Sequence, residues 1–298
     1  MKLVTYQTKG QPQLGVIRNE QVIELASAHR ALVNEAEASF PADMIELLKQ
    51  GPAGLNQVTA IVDFAGANPA DFVLPLDRVK LLPPIPRPGK IIALGRNYAA
   101  HAAEGGSAPP DYPMLFYKPA TALLGAGGTI VIPPTSEQVD YEGELAVVIG
   151  RTCKQVSPEV ALDYVAGYTI ANDVSARDIQ RRTSQFAAGK MADTFAPLGP
   201  ALVTRAEIAD PGDLQIRTTL NGQLMQNGNT KMMIFDIPFT ISYISQISTL
   251  EVGDIIMTGT PDGVGFARTP PVFMKDGDVI SVEIEGLGTL TNEVKDQA

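Results

Sequence analysis

The chain has 298 residues, 45% of them apolar, with a net charge of −10 and a single cysteine. That length can bury a core and a site without a partner, and the acidic balance excludes nucleic acid and anionic membrane surfaces as natural ligands, because both repel such a surface. One cysteine, Cys153, leaves no intramolecular disulfide framework and fits a reducing compartment. Residues 1–6 lack an apolar signal core and no run approaches ~18 apolar residues, so the expected location is the cytoplasm, with no membrane span.

In chain order, alternating residues predict short strands over 3–6, 14–17 and 22–25, with Asn19-Glu20 as the turn between the last two. Residues 27–66 are rich in Ala, Leu and Glu and predict helices, broken near Phe40-Pro41 and Gly51-Pro52. His29 falls in this stretch and reads as a surface residue. Four prolines in the six residues 83–88 cannot be helix or central strand. They predict a stiff linker, 83–89, between a small N-terminal domain, 1–82, and a larger one, 90–298.

Beyond the linker, β-like runs dominate: 90–94, 129–132, 144–149, 164–171, 215–220, 254–258 and 279–284. Asn221-Gly222 and Asp276-Gly277-Asp278 punctuate them as turns. Helix candidates are short, at 97–104, 174–184 and 236–247. This pattern predicts a mainly β (α+β) protein, a sandwich or roll of mixed sheets with a small α+β N-terminal domain.

The strongest chemical signal is Asp140-Tyr141-Glu142-Gly143-Glu144, which opens an apolar run to Ile149. Residues at i and i+2 of a strand share a face, so Glu142 and Glu144 point the same way, and Ala146 and Val148 continue that face inward. Two carboxylates side by side at the mouth of a buried strand repel each other. Either one is protonated or a cation lies between them. A second apolar run ends at Asp173, with Arg177 and Gln180 at i+4 and i+7, on one face if 174–184 is helical. Three carboxylates without His or Cys make a hard-oxygen site suited to Mg²⁺, Mn²⁺ or Ca²⁺. The competing reading is a plain Glu-x-Glu pair on a solvated strand.

His101 and Glu104 are i, i+3 neighbours in a short Ala-rich helix that Asn97 could cap and Gly105-Gly106 could end. A carboxylate beside an imidazole fixes its tautomer and raises its basicity, as a general base requires. An ordinary surface pair fits the same spacing. Lys118 and Lys190 lie in small or apolar surroundings and are either snorkelling or recruited to an anion. The turn Thr258-Gly259-Thr260-Pro261 has small residues that admit a close ligand. Gly125-Ala126-Gly127-Gly128 lacks the Lys and Ser/Thr of a phosphate loop and reads as a turn.

Six motifs in order tie these residues together: Gly95-Arg96-Asn97-Tyr98 with His101 and Glu104, Phe116-Tyr117-Lys118-Pro119, Asp140-Tyr141-Glu142-Gly143-Glu144-Leu145, Asn172-Asp173-Val174-Ser175-Ala176-Arg177-Asp178, Gly189-Lys190, and Gly253-Asp254-Ile255-Ile256-Met257-Thr258-Gly259-Thr260-Pro261. With them, residues 89–294 resemble the fumarylacetoacetate hydrolase family. The resemblance implies one Mg²⁺ or Mn²⁺ per subunit on Glu142, Glu144 and Asp173, and a His101–Glu104 dyad on a lid. It also implies a catalytic Lys190, substrate contacts from Arg177, Gln180, Lys118, Tyr117 and Thr260, and a homodimer.

The activity it implies is hydrolysis of a carbon–carbon bond in acylpyruvate-type 2,4-dioxo acids, giving pyruvate or a related 2-oxo acid. Decarboxylation of oxaloacetate and isomerisation of unsaturated 2-oxo diacids are the alternatives, since enolate chemistry serves all three. A non-catalytic ligand-binding homologue is a third reading.

Overall fold

The computed structural model of the chain describes residues 1–35 and 38–297. Alternation at the N-terminus folds as expected. Lys2–Gln7 pairs with Gln13–Arg18, and that strand pairs with Gln21–Glu24. Asn19 and Glu20 join the last two with φ of 51° and 57°, a two-residue turn whose twist matches the strands. Three helices follow, Leu25–Leu32, Met44–Lys49 and Gly51–Ala67. The Asp43 side chain caps the second by accepting from Glu46 N. Pro52 sits in the first turn of the third, where its missing N–H costs no helical hydrogen bond. His29 does not lie on the surface: it is buried, with its ring 5.6 Å from that of Phe40.

The N-terminal strands continue the sheet of the rest of the chain. Lys2–Gln7 pairs with Ala196–Thr204, and the order then runs through Val165–Asn172, Gly143–Ile149, Ile255–Met257 and Ile91–Gly95 to Met114–Tyr117. The proline-rich segment is packed along it. Pro83, Pro84 and Ile85 are buried, and the Pro84 carbonyl accepts from the Thr5 hydroxyl at 2.8 Å.

Ala196–Thr204 sits mid-sheet although Pro197 and Pro200 fall within it. The register against Val165–Asn172 shifts between Tyr168 and Ile170, opposite Pro200, so the missing N–H falls at an irregularity. Pro197 faces the two-residue strand Leu123–Leu124 on the other side.

A five-stranded sheet packs against one face of this large sheet. Its order is Gln223–Asn229, Gln215–Leu220, Val279–Ile284, Gly288–Asp296, Thr129–Ile132. Leu145, Val147 and Ile149 meet Ile216, Val282 and Leu290 between the layers, joined by Ile237, Ile241 and Ile244 of helix Ile237–Ile247. Ala146 and Val148, on the opposite face of the same strand, join Ile91, Ala93 and the N-terminal helix residues Val58 and Ile61. Every residue of Gly143–Ile149 is therefore buried, as a continuous apolar run requires. Each buried Val, Leu or Ile contributes roughly 1.5–3 kcal/mol. The architecture is the mainly β (α+β) mixed-sheet roll expected, and no helix among the described residues is long and apolar enough to cross a membrane.

Two local expectations are corrected. The helix over 174–184 is one turn, Arg177–Gln180, preceded by the short strand Ser175–Ala176. Asp173 therefore shares no helical face with Arg177 and Gln180. Asn97 does not cap the helix Ala99–Glu104; the N-cap is Tyr98, without a side-chain bond. Asn97 instead donates to the carbonyls of Phe235 and Thr258 at 2.9 and 2.8 Å and accepts from Phe235 N at 2.8 Å, fastening three loops together.

Candidate active site and metal centre

Strand register assembles the acidic cluster. Gly143 pairs with Asn172 and Glu144 with Ala171, so the end of Val165–Asn172 lies beside the start of Gly143–Ile149. Asp173 N donates to the Glu142 carbonyl at 2.8 Å, and Glu142 N donates to Asn172 Oδ1 at 2.9 Å. Carboxylate oxygens of Glu142, Glu144 and Asp173 consequently lie within 4.8 Å of one another, all three residues buried. The intervening glycine is required. A Cβ at Gly143 would overlap Thr218 Oγ1 of the smaller sheet. Its peptide is also gripped: Gln226 Oε1 accepts from Gly143 N at 2.9 Å, and Thr260 Oγ1 donates to the Gly143 carbonyl at 2.9 Å. Gln226 Nε2 closes the loop by donating to Thr260 Oγ1 at 2.7 Å.

Three cations enter the cluster. Lys118 follows the strand Met114–Tyr117, and alternation sends it inward while Tyr117 stays 56% exposed. Lys118 Nζ contacts Asp173 Oδ1 closely. Lys190 follows the turn Ala187–Gly189 and donates to Glu142 Oε2 at 2.8 Å, Asp173 Oδ2 at 2.5 Å and Ser175 Oγ at 2.8 Å. Arg177 meets Glu142 Oε1 at 2.6 Å, Asp140 Oδ2 at 2.9 Å and Gln180 Oε1 at 3.1 Å. Asp140 also accepts from Gly265 N at 2.8 Å and Phe266 N at 3.1 Å, which ties the 259–266 loop to the cluster.

Charge in the cluster does not balance. The buried carboxylates Asp140, Glu142, Glu144 and Asp173 stand against the buried cations Lys118, Arg177 and Lys190. The mismatch falls on Glu144. Its Oε2 accepts from Gly259 N at 2.8 Å, but its buried Oε1 has no partner. Burial, then Asp173 and Glu142, push its pKa well above the usual carboxylate value. Burial would raise Glu142 as well, but Lys190, Arg177 and His101 outweigh it and hold that carboxyl below its ordinary value. Burial lowers Lys118 despite Asp173, whereas Asp173 and Glu142 keep Lys190 raised. An orphaned buried oxygen within reach of two more hard oxygens fits a divalent cation held by Glu142, Glu144 and Asp173.

This asymmetry predicts a pH effect. Between the unfolded carboxylate value and the raised value of Glu144, the metal-free folded state binds more protons than the unfolded one. Stability is then highest on the acid side of that window and falls as pH rises through it. Glu144→Gln removes the fall. The amide still accepts from Gly259 N, and its NH₂ can donate toward Asp173 and Glu142. Denaturant titrations in chelator across pH should show the variant ~1–3 kcal/mol more stable than the parent at neutral pH, with the order reversed in excess Mg²⁺. A parent whose metal-free stability rises through the window contradicts this account of Glu144.

The second constellation is the helix Ala99–Glu104. His101 Nδ1 lies 2.8 Å from Glu104 Oε1, and Glu104 Oε2 accepts from Gly263 N at 2.8 Å. With Nδ1 turned to the carboxylate, Nε2 is the free acid–base atom. His101, Glu142, Arg177, Gln180, Lys190 and Thr260 line one cleft of about 430 Å³. Lys118, Glu144 and Asp173 lie just behind its wall, and the exposed Tyr117 is not among its lining residues. Sequence reasoning assigned no role to Asp140, Gln226 or the aromatic wall Phe266, whereas Phe186, which with Gln185 is a sequence candidate for contacting the far end of the substrate, does line the cleft. For Asp140 a signal existed, since it precedes Glu142 by one strand period.

A strand-rich roll with an acidic triad and a His–Glu pair has known counterparts among enzymes. Residues 90–295 match the fumarylacetoacetate (FAA) hydrolase C-terminal family, and residues 1–84 match an Rv2993c-like N-terminal family. The chain belongs to the fumarylacetoacetate hydrolase family. It is 42% identical over 287 residues to the oxaloacetate tautomerase YisK of Bacillus subtilis, covering 94% of each chain. It is 47% identical over 264 residues to a mitochondrial oxaloacetate tautomerase of Bos taurus, covering 88% of this chain and 82% of that one. Among solved structures, a maleylpyruvate hydrolase from Sphingobium sp. SYK-6, in complex with manganese (II) ion and pyruvate, aligns over 100% of both chains with a TM-score of 0.79 and 32% identity.

Proposed function

We propose that this protein is a Mg²⁺- or Mn²⁺-dependent tautomerase of oxaloacetate or a closely similar 2-oxo acid. The observation that carries the reading is the single cleft that His101 shares with Glu142, Arg177 and Lys190. It sets an acid–base group opposite a cationic and carboxylate-ligand wall, which is what moving a proton beside a ketone needs. The two tautomerase relatives, matched over 88% and 94% of the chain, support it.

When bound, the cation supplies positive charge that makes an enolate less costly. Lys190 and Arg177 take up negative charge at the 2-oxo oxygen in the same way, from atoms already fixed by Glu142. His101, in the tautomer set by Glu104, gives a proton through Nε2 to the carbon next to the ketone, or removes one in reverse. In the enol-to-keto direction one proton leaves oxygen for solvent and one arrives at carbon, with no change of oxidation state. Phe186 and Phe266 line the same cleft and limit water at the reacting carbon.

Hydrolysis of an acylpyruvate-type substrate is the second reading. The same dyad can take a proton from water, and the maleylpyruvate hydrolase relative supports it. A panel of oxaloacetate enol, acylpyruvates and unsaturated 2-oxo diacids, run with Mg²⁺ and with Mn²⁺ and with product analysis, separates the two. Tautomerisation predicts fast loss of enol absorbance with no new carboxylic acid. Acylpyruvate cleavage at a higher kcat/KM would overturn it.

A further inference from the structure

Two cations at the mouth of the cleft take no part in the buried charge cluster. Arg96 and Arg181 both line the cleft. Among the described residues, neither guanidinium forms a salt bridge, although every other cation on this wall is paired with a carboxylate. Each lies over an aromatic ring instead: Arg96 is 5.7 Å from the centroid of Phe186, and Arg181 is 4.4 Å from that of Phe266.

The same aromatic walls carry the inner cations. Arg177 lies 4.6 Å from the Phe266 centroid on the way to Glu142. Phe186 meets Phe116 edge-on at 6.2 Å, and Lys190 Nζ lies 5.1 Å from the Phe116 centroid. Phe266 therefore carries one paired and one unpaired cation, and Phe186 with Phe116 does the same. On a chain of net charge −10, two unpaired guanidiniums facing one cleft make a local anion site against the prevailing field. Arg96 also has a left-handed backbone, φ 56°, a conformation costing roughly 1–2 kcal/mol in a non-glycine residue. It follows directly on the strand Ile91–Gly95, so the strand's rigidity fixes where the side chain leaves.

We propose that Arg96 and Arg181 form a second anion subsite that takes the far carboxylate of a 2-oxo diacid and selects dianions over monoanionic 2-oxo acids of the same length. The inference rests on the reading above, in which the 2-oxo acid end lies against Glu142 and Lys190. Two guanidiniums, each laid over an aromatic ring, suit a carboxylate, which accepts bidentate hydrogen bonds from a guanidinium.

The test compares oxaloacetate with 2-oxobutanoate, which has the same chain length and no second carboxylate. Exchange of the protons next to the ketone is followed by NMR in D₂O with Mg²⁺, above the spontaneous rate. Arg96→Gly keeps the left-handed backbone without strain, and Arg181→Ala changes an exposed position. Each should lower the ratio of kcat/KM for oxaloacetate over 2-oxobutanoate by roughly 10- to 100-fold, mainly through KM, as expected for a charge-assisted hydrogen bond. Calorimetry with Mg²⁺ and the unreactive pair malate and 2-hydroxybutanoate should show the same loss of dianion preference.

Unchanged ratios and unchanged preferences in both variants would overturn the subsite while leaving the tautomerase reading intact. An arginine-dependent preference for malate, in a parent that exchanges neither 2-oxo acid, would sustain the subsite and remove the tautomerase reading.

Discussion

Replacing Glu142 with alanine should cost about 3–5 kcal/mol of folding stability together with all activity that depends on a divalent cation. Glu142 is the carboxylate on which the cluster converges: Arg177 reaches one oxygen at 2.6 Å and Lys190 the other at 2.8 Å. Removing it strands two buried cations, and breaking one side of a buried ion pair has that magnitude. Arg177 retains Asp140 and Lys190 retains Asp173, which places the expected loss nearer the lower end. Glu144→Gln should stabilise the metal-free protein, so two neighbouring carboxylates of the same centre give stability changes of opposite sign. Denaturant titration of the two variants with and without Mg²⁺ reads this directly. Equal losses in both would mean that the cluster is a generic buried ionic network and not a site with one unsatisfied oxygen.

His101→Ala should lower kcat by 10²- to 10⁴-fold, the usual range for a positioned acid–base group, while divalent-cation affinity stays within a few-fold. The His101 ring hydrogen bond goes to Glu104, and among the described residues it forms no hydrogen bond to Glu142, Glu144 or Asp173. Glu104→Gln should cost less, because an amide oxygen can still accept from His101 Nδ1 while the charge is lost. Calorimetric Mg²⁺ titration beside steady-state kinetics separates the two effects. A variant that loses cation affinity and kcat in proportion would show His101 acting on the metal centre and not on the substrate.

Local patterns carried much of the fold, and the site was legible where it depended on strand period. Asn19-Glu20 supplied a turn, and the β-like runs 215–220 and 279–284 coincide with strands Gln215–Leu220 and Val279–Ile284. Ala196–Thr204 was hidden by its two prolines, which single-strand reasoning penalises and a register irregularity accommodates. The Glu-x-Glu spacing put Glu142 and Glu144 on one side, which needed no knowledge of the sheet. Asp173 was found at a strand end, but the helix drawn through it was too long. What joins Asp173 to its neighbours is the pairing of Gly143 with Asn172, a contact between distant segments that no periodicity encodes. Lys118 and Lys190 read as ordinary loop lysines from composition alone, because their meaning lies in a shared partner, Asp173. Arg96 entered only as part of the Gly95-Arg96-Asn97-Tyr98 motif and Arg181 not at all, for the opposite reason: among the described residues no carboxylate pairs with either, and each lies over an aromatic ring.

The most direct measurement is stopped-flow absorbance of oxaloacetate enol mixed with the protein, in Mg²⁺ and in excess chelator, for the parent and for His101→Ala. Loss of enol well above the spontaneous rate is expected only for the parent with Mg²⁺. Equal acceleration in chelator, or by His101→Ala, would contradict a tautomerase that needs both the carboxylate centre and the dyad.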